Sequence, residues 1–173
     1  MKLCKITNRW RIVFGTYEGL ERKAVDLVYE TVSNYVPYTV VAEKQLTHAD
    51  DNIILIGTIE NNELIKQWLP HEEIPKAGYL IKVIDHPIHI DRKVAIITGV
   101  DATQIFYGAV DFVDDFVSHS KPTGTHQPYF NKPFMEKPKN YTRASKPKIE
   151  NRGIWTWGHC IYNYRRFIDN MAR

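Results

Sequence analysis

The chain has 173 residues, 43% hydrophobic, 12% aromatic and 25% charged, with a formal net charge of +3. That is a profile for one globular domain with a proper core, and the remainder is too short for a second. No stretch nears the roughly 20 apolar residues of a bilayer span, and the start Met1-Lys2-Leu3-Cys4-Lys5-Ile6 lacks the apolar core of a secretory leader.

The charge is unevenly placed. Residues 1–118 carry 12 Lys and Arg against 17 Asp and Glu, a balance of −5, whereas 119–173 carry 11 against 3, a balance of +8. A compact body followed by a different, basic segment is the expectation. Cys4 and Cys160 lie near opposite ends and form no C-x-x-C pair, so they read as free thiols rather than a disulfide framework.

In chain order, Trp10-Arg11-Ile12-Val13-Phe14 is a short β-rich run halted by Gly15. From Tyr17 to Tyr35, Leu20, Ala24, Leu27, Val28, Thr31 and Tyr35 recur three or four apart, with Glu18, Glu21, Arg22, Asp26 and Glu30 on the other side, which predicts an amphipathic helix closed before Pro37. Tyr38–Ala42 is a second strand. Ile53-Ile54-Leu55-Ile56 is apolar on both faces and belongs at the centre of a covered sheet, stopped by Gly57. Asn61 or Asn62 caps a short helix through Leu64, Ile65, Trp68 and Leu69.

Gly78–Ile84 and Lys93–Thr98 are two strands joined by a turn at Asp85–Arg92. Asp101 caps a last helix to about Ser118, with Ile105, Ala109, Phe112, Val113 and Phe116 inward and Asp111, Asp114 and Asp115 outward. The expected fold class is α+β: a two-layer arrangement with a mixed β-sheet flanked by helices, in the order β-α-β-β-α-β-β-α over residues 9–118.

Residues 119–148 break the pattern. They hold Pro122, Pro128, Pro133, Pro138 and Pro147, five of the nine prolines, with Tyr129, Phe130, Phe134 and Tyr141 between them. About 30 aperiodic residues are too many for an ordinary connection and suit an extended linker pinned to a surface by its aromatics. Order returns at 149–173, with a strand over Ile149–Trp157 and a helix over Tyr164–Arg173 that stops without a cap.

Three segments, Asn52–Gly57, Gly78–Val83 and Ala95–Ala109 (with Gly99-Val100-Asp101 and Tyr107-Gly108 inside it), follow one another in an order that resembles the domain preceding the barrel in β-hexosaminidases, α-glucuronidases and related glycoside hydrolases. Arg152-Gly153 and Arg166-Phe167-Ile168-Asp169-Asn170-Met171-Ala172 are similar to the strand and helix through which those enzymes enter the barrel. The resemblance implies an amino-terminal α/β domain at 1–118, a linker at 119–148 and the first β/α unit of a truncated (β/α)₈ barrel at 149–173. One unit cannot close a barrel of about 250 residues. The acid/base carboxylates belong on later barrel strands, so this fragment is expected to have no catalytic residue of its own and to be inactive alone, in a parent that is a glycosidase. A free-standing carbohydrate-binding or protein-interaction module is the alternative.

The resemblance also assigns Arg152 to hydrogen-bonding the hydroxyls of a bound sugar, against the alternative of a structural ion pair at the barrel base. Trp155, Trp157 and His159 alternate on one strand and share a face, suited either to stacking on sugar or to core packing. The expected partners are carbohydrate and the missing barrel, with self-association through the apolar side of 149–173, and neither nucleic acid nor membrane.

No cofactor or metal is implied. Asp85, His86, His89 and Asp91 hold a His-x-x-His pair, but without a zinc spacing, and read as a polar loop. Gly15-Thr16-Tyr17-Glu18-Gly19 lacks both G-x-G-x-x-G and a Gly-Lys-Ser/Thr ending, and Glu18 would repel phosphate. Asp111, Asp114 and Asp115 read as a solvated helix face. The lysines of the basic tail are scattered among prolines rather than lined along one element, which disfavours nucleic acid. With Met1 as the native start the protein stays in the cytoplasm; with a leader removed ahead of it, it is a secreted or periplasmic one.

Overall fold

A computed structural model describes residues 9–35, 40–69, 74–119, 129–130, 138–148 and 168. The elements are β1 (Trp10–Phe14), α1 (Gly19–Tyr35), β2 (Val41–Glu43), β3 (Asn52–Gly57), α2 (Glu63–Trp68), β4 (Tyr79–Asp85), β5 (Lys93–Gly99), α3 (Ala102–Phe112), β6 (Ser118–His119), β7 (Tyr129–Phe130) and β8 (Tyr141–Ser145). Six strands form one mixed sheet in the order β2-β1-β3-β5-β4-β8, and β6 and β7 pair separately. The four strands from β2 to β5 are mutually parallel, while β4 runs antiparallel to both β5 and β8.

Strand periodicity divides the core between the two faces of the sheet. Trp10, Ile12, Ile54, Ile56, Ile81, Val83, Ala95 and Ile97 point to one face, where α1 and α3 lie against each other. The alternate residues Val13, Ile53, Leu55, Leu80, Val94 and Ile96 point to the other, where they meet Ile65 and Leu69 at α2. β3 has neighbours on both sides and helices over both faces, so all six of its residues are buried. The structure is thus a mixed sheet with three helices of the α+β kind, but α2 adds a thin third layer to the two expected.

The helices follow local rules. Ala24, Val25, Val28 and Val32 are the buried stripe of α1. Asp101 caps α3, its carboxylate accepting the Gln104 N–H at 2.9 Å. α3 ends at Phe112, short of the expected Ser118, because Val113–Val117 widens into a π-type turn. Gly108 sets the depth at which α3 meets the sheet, since a Cβ there would stand 3.1 Å from Ile97 Cγ2 and 3.2 Å from Tyr79 Cδ2.

The largest departure from expectation is β8. Residues 141–145 fall in the stretch read as linker, yet they form the sixth strand, pairing Tyr79–Val83 with Ser145–Tyr141. An edge strand covers only one face, and Tyr-Thr-Arg-Ala-Ser alternates half-buried and exposed positions without any apolar run.

Candidate functional site

In open α/β sheets, ligands bind outside the carboxyl ends of the strands where the strand order reverses. Here that point lies between β1 and β3, and it is filled by side chains. Asn61 reaches into it, its Oδ1 accepting the Thr58 N–H at 2.9 Å and its Nδ2 donating to Thr16 Oγ1 at 3.1 Å and Glu21 Oε2 at 2.9 Å. The other carboxylate oxygen of Glu21 accepts the Thr16 N–H at 2.7 Å.

Two glycines make room for this plug. A Cβ on Gly57, whose φ is 152°, would stand 2.6 Å from Asn61 Oδ1, and one on Gly15 would overlap the same amide. The Gly15–Gly19 loop therefore turns a backbone donor onto an internal carboxylate, and an incoming phosphate would meet that carboxylate's charge.

Sequence periodicity places Glu21 on the polar side of α1, but it is only 4% exposed. Its partner lies 40 residues on, and nothing in the local pattern announces it. The neighbouring asparagines separate into two tasks. Asn62, rather than Asn61, caps α2 by accepting from Leu64 N and Ile65 N, while its Nδ2 ties the carbonyls of Val13 and Ile56 at 3.1 and 3.2 Å.

A second node joins α3 to β4 and β8. The Tyr79 hydroxyl donates to Asp111, and Arg143 pairs with Asp111 at 2.6 Å and with Asp115. Burial, then the bond to Asp111, pushes the Tyr79 phenol up, so it remains a donor at neutral pH. Burial opposes the Arg143 charge, but the carboxylates of Asp115 and Asp111 outweigh it and raise its pKa above the usual arginine value. Asp111 and Asp115 are thus a clamp on the edge strand, not the merely solvated face expected. A cleft of about 150 Å³ beside it is lined by Tyr79, Tyr107, Asp111, Ser145 and Lys146 among others.

The clamp is about a third exposed, so Arg143→Met should cost about 1 kcal/mol or less in global stability. Its local effect should be larger, with amide exchange of β8 accelerating before that of β3 in a hydrogen-exchange experiment. Unchanged β8 protection would show that backbone pairing alone retains the strand.

Two further nodes are structural. Arg11, buried in β1, donates to Asp51 Oδ2 through Nε (3.2 Å) and Nη2 (3.0 Å), and through Nη1 to Glu43 (3.2 Å) and Thr47 Oγ1 (3.1 Å). Burial works against the Glu43 charge, but hydrogen bonds from Thr47 and the Arg11 guanidinium overcome it and lower its pKa. The loop holding Asp85, His86, His89 and Asp91 is not simply polar, because His86 is buried. Among the described residues no three His, Cys, Asp or Glu side chains gather as metal ligands, and no helix is long and apolar enough to cross a membrane.

An open groove of about 520 Å³ lies between the end of β1, α1 and β2, lined by Phe14, Tyr17, Asp26, Tyr29 and Val40 among others. Its polar groups serve one another. The Tyr17 hydroxyl donates to Asp26 at 2.5 Å, which raises the Tyr17 pKa, and the Arg22 guanidinium lies 5.2 Å over the Tyr17 ring and 3.5 Å from Asp26. Arg152, Trp155, Trp157 and His159, the expected sugar-contacting residues, lie outside the described residues.

The motif residues carrying the sequence resemblance sit at close packing contacts. A Cβ on Gly78 would overlap the Ser145 carbonyl, and one on Gly99 would stand 2.7 Å from Gln104 Cβ. Tyr79 and Gly108 touch across the interface of β4 and α3, and Asp101 is the α3 cap.

No family model matches the sequence, and no curated protein does. Among solved structures, the chain is similar to a family GH115 4-O-methyl-α-glucuronidase with specificity for decorated arabinogalactans, at 18% identity and a TM-score of 0.44 over 60% of this chain and 13% of that one. It is also similar to a GH138 enzyme targeting pectin rhamnogalacturonan II, at 14% identity and a TM-score of 0.35 over 70% of this chain and 15% of that one. Both are glycoside hydrolases, and this chain spans about a seventh of the length of either.

Proposed function

We propose that this chain is the non-catalytic amino-terminal α/β domain of a glycoside hydrolase, supporting a catalytic barrel in the hydrolysis of glycosidic bonds and inactive on its own. In this reading 1–118 is the body, 119–148 the crossing segment, which lends residues 141–145 to the body's sheet as β8, and 149–173 the opening β/α unit of the barrel. The observation that best supports it is the filled crevice between β1 and β3. The place where this kind of sheet would hold a substrate is stabilised as packing instead, by Asn61, Glu21 and Thr16. The clamp on Asp111 and Asp115 supports it too, because both carboxylates are engaged with Arg143 and neither faces a reacting group as a free acid/base pair would.

On this reading Arg152 presents its donors to sugar hydroxyls, and Trp155 and Trp157 stack on the sugar with His159 beside them, once the rest of the barrel is present. The expected result is no turnover of any chromogenic glycoside by the 173-residue chain, with turnover by a polypeptide extended through repeated β/α units. Activity that co-purifies with the short chain at constant specific activity would overturn the proposal.

The groove lined by Phe14, Tyr17 and Tyr29 favours a second reading, a free-standing carbohydrate-binding module, since aromatic walls with a carboxylate at the lip suit a sugar. Calorimetric titration with neutral and uronic-acid oligosaccharides separates the two, as only the second reading expects binding by the short chain.

A further inference from the structure

The turn between β4 and β5, His86-Pro87-Ile88-His89-Ile90-Asp91-Arg92, is built around a buried imidazole. His86 is 4% exposed, and its Nδ1 accepts the backbone N–H groups of both Ile88 and His89 at 3.1 Å. A ring nitrogen that accepts hydrogen bonds carries no proton, so the ring is neutral with its hydrogen on Nε2. Nε2 is itself buried and has no hydrogen-bond partner among the described residues. The main chain closes around the ring through His86 N–H to Arg92 O at 2.9 Å and Arg92 N–H to His89 O at 3.0 Å.

Among the described residues, the surroundings offer the charge of a second proton on this ring no compensation. α2 contributes the Trp68 ring, edge-on at 5.3 Å, and the turn itself contributes the His89 ring at 4.9 Å. Arg92 is cationic and its Nε donates to the Asp50 carbonyl in the loop before β3. The carboxylate at the end of β4, Asp85, is engaged by Lys93 of β5 and by Asn140. Burial first, then the charges of His89 and Arg92, lower the His86 pKa.

The geometry points to His86 as a pH-operated latch on the β4–β5 turn. Neutral, it closes the turn and holds Ile88 (69% exposed) and Ile90 (92% exposed) out in solvent; protonated, it can accept neither N–H and the turn opens. A proton on Nδ1 would point at two donors, and among the described residues no carboxylate acts on its charge, so protonation favours the open form. The sign follows from the lowered pKa: the latch is at full strength above the ordinary histidine value of 6.5 and is lost as pH falls below it. With an ordinary pKa in the open form, the open-to-closed ratio rises between pH 7 and pH 5, by at most roughly 25-fold, the limit in which the closed form takes up no proton.

Nuclear magnetic resonance of the 173-residue chain tests this. At pH 7 the ring nitrogen shifts should report the Nε2–H tautomer. By pH 5 the Ile88 and His89 amides should exchange several-fold faster, up to about 25-fold, after correction for the intrinsic pH dependence of exchange, while the β3 amides stay unchanged. His86→Asn supplies an oxygen that can accept the same two N–H groups without titrating, so it should keep the turn closed and remove the pH step. A ring protonated on Nδ1 at pH 7, a flat wild-type profile, or a step persisting in His86→Asn would each overturn the latch. If His86→Asn does not fold, the tautomer and the wild-type profile decide the matter by themselves. None of these outcomes bears on the glycoside hydrolase reading, which rests on other residues.

Discussion

Replacing Arg11 by methionine should cost about 3–5 kcal/mol of folding free energy. The side chain is nearly the right volume for its place in β1, so packing is not what is lost. What is lost is the cation holding Asp51, Glu43 and Thr47 together, three groups brought from β2 and from the loop entering β3. Asp51 is 7% exposed and would be left as an uncompensated buried carboxylate. Chemical denaturation with an unchanged m-value is the measurement. The triple change Arg11→Met, Glu43→Gln and Asp51→Asn should recover much of the loss, because it removes the stranded charge as well as its partner. A single-variant loss below about 1 kcal/mol would mean that water reaches the node and screens it. Because the Glu43 pKa is lowered in the fold, its share of the stability is complete above the ordinary carboxylate value of 4.5 and disappears as pH falls below it. The stability of the wild type should therefore fall more steeply than that of Glu43→Gln as pH drops below 4.5, with the difference between the two vanishing in acid.

Gly78→Ala should be the most damaging single-methyl change in the sheet, at about 1–3 kcal/mol. The new Cβ would overlap the Ser145 carbonyl oxygen, stand 3.0 Å from the carbonyl carbon and 3.1 Å from Pro75 Cβ. Two of those atoms are backbone of β8, so no rotamer change relieves the clash and the strand itself must move. Displacing β8 strips the partner from Tyr79–Val83 and pulls Arg143 away from Asp111 and Asp115. Hydrogen exchange should show the β8 and β4 edge amides losing protection together, with β1 and β3 unaffected. An alanine variant with wild-type stability and full β8 protection would show that the strand end shifts without cost. The two neighbouring residues divide the work here: Gly78 admits the adjacent strand, and the Tyr79 hydroxyl reaches Asp111.

Much of the sheet is legible in the chain itself. Ile53–Ile56 and Val94–Ile97 are apolar on both faces, a pattern that only a strand covered on both sides requires, and both are central. The stripe of α1 and the Asp101 cap are equally local, since a helix is written in residues three and four apart and in the residue before its first turn.

The candidate site was far less legible. Arg11 reads as one residue of a β-rich run, Glu21 as one of several charges on a helix, and Asn61 as a cap no better than Asn62. What distinguishes each is a partner roughly 40 residues away. β8 is hidden for a related reason: an edge strand buries half of one face, so its composition is that of a loop, and only the clamp on Arg143 and the space at Gly78 identify it. By itself, then, the sequence determined the interior strands and the helices of the body, though not the edge strand β8, because periodicity and capping act within a few residues. The tertiary structure alone decided which polar side chains are buried and what closes the crevice between β1 and β3, because those outcomes depend on groups that only the folded sheet brings within hydrogen-bonding distance.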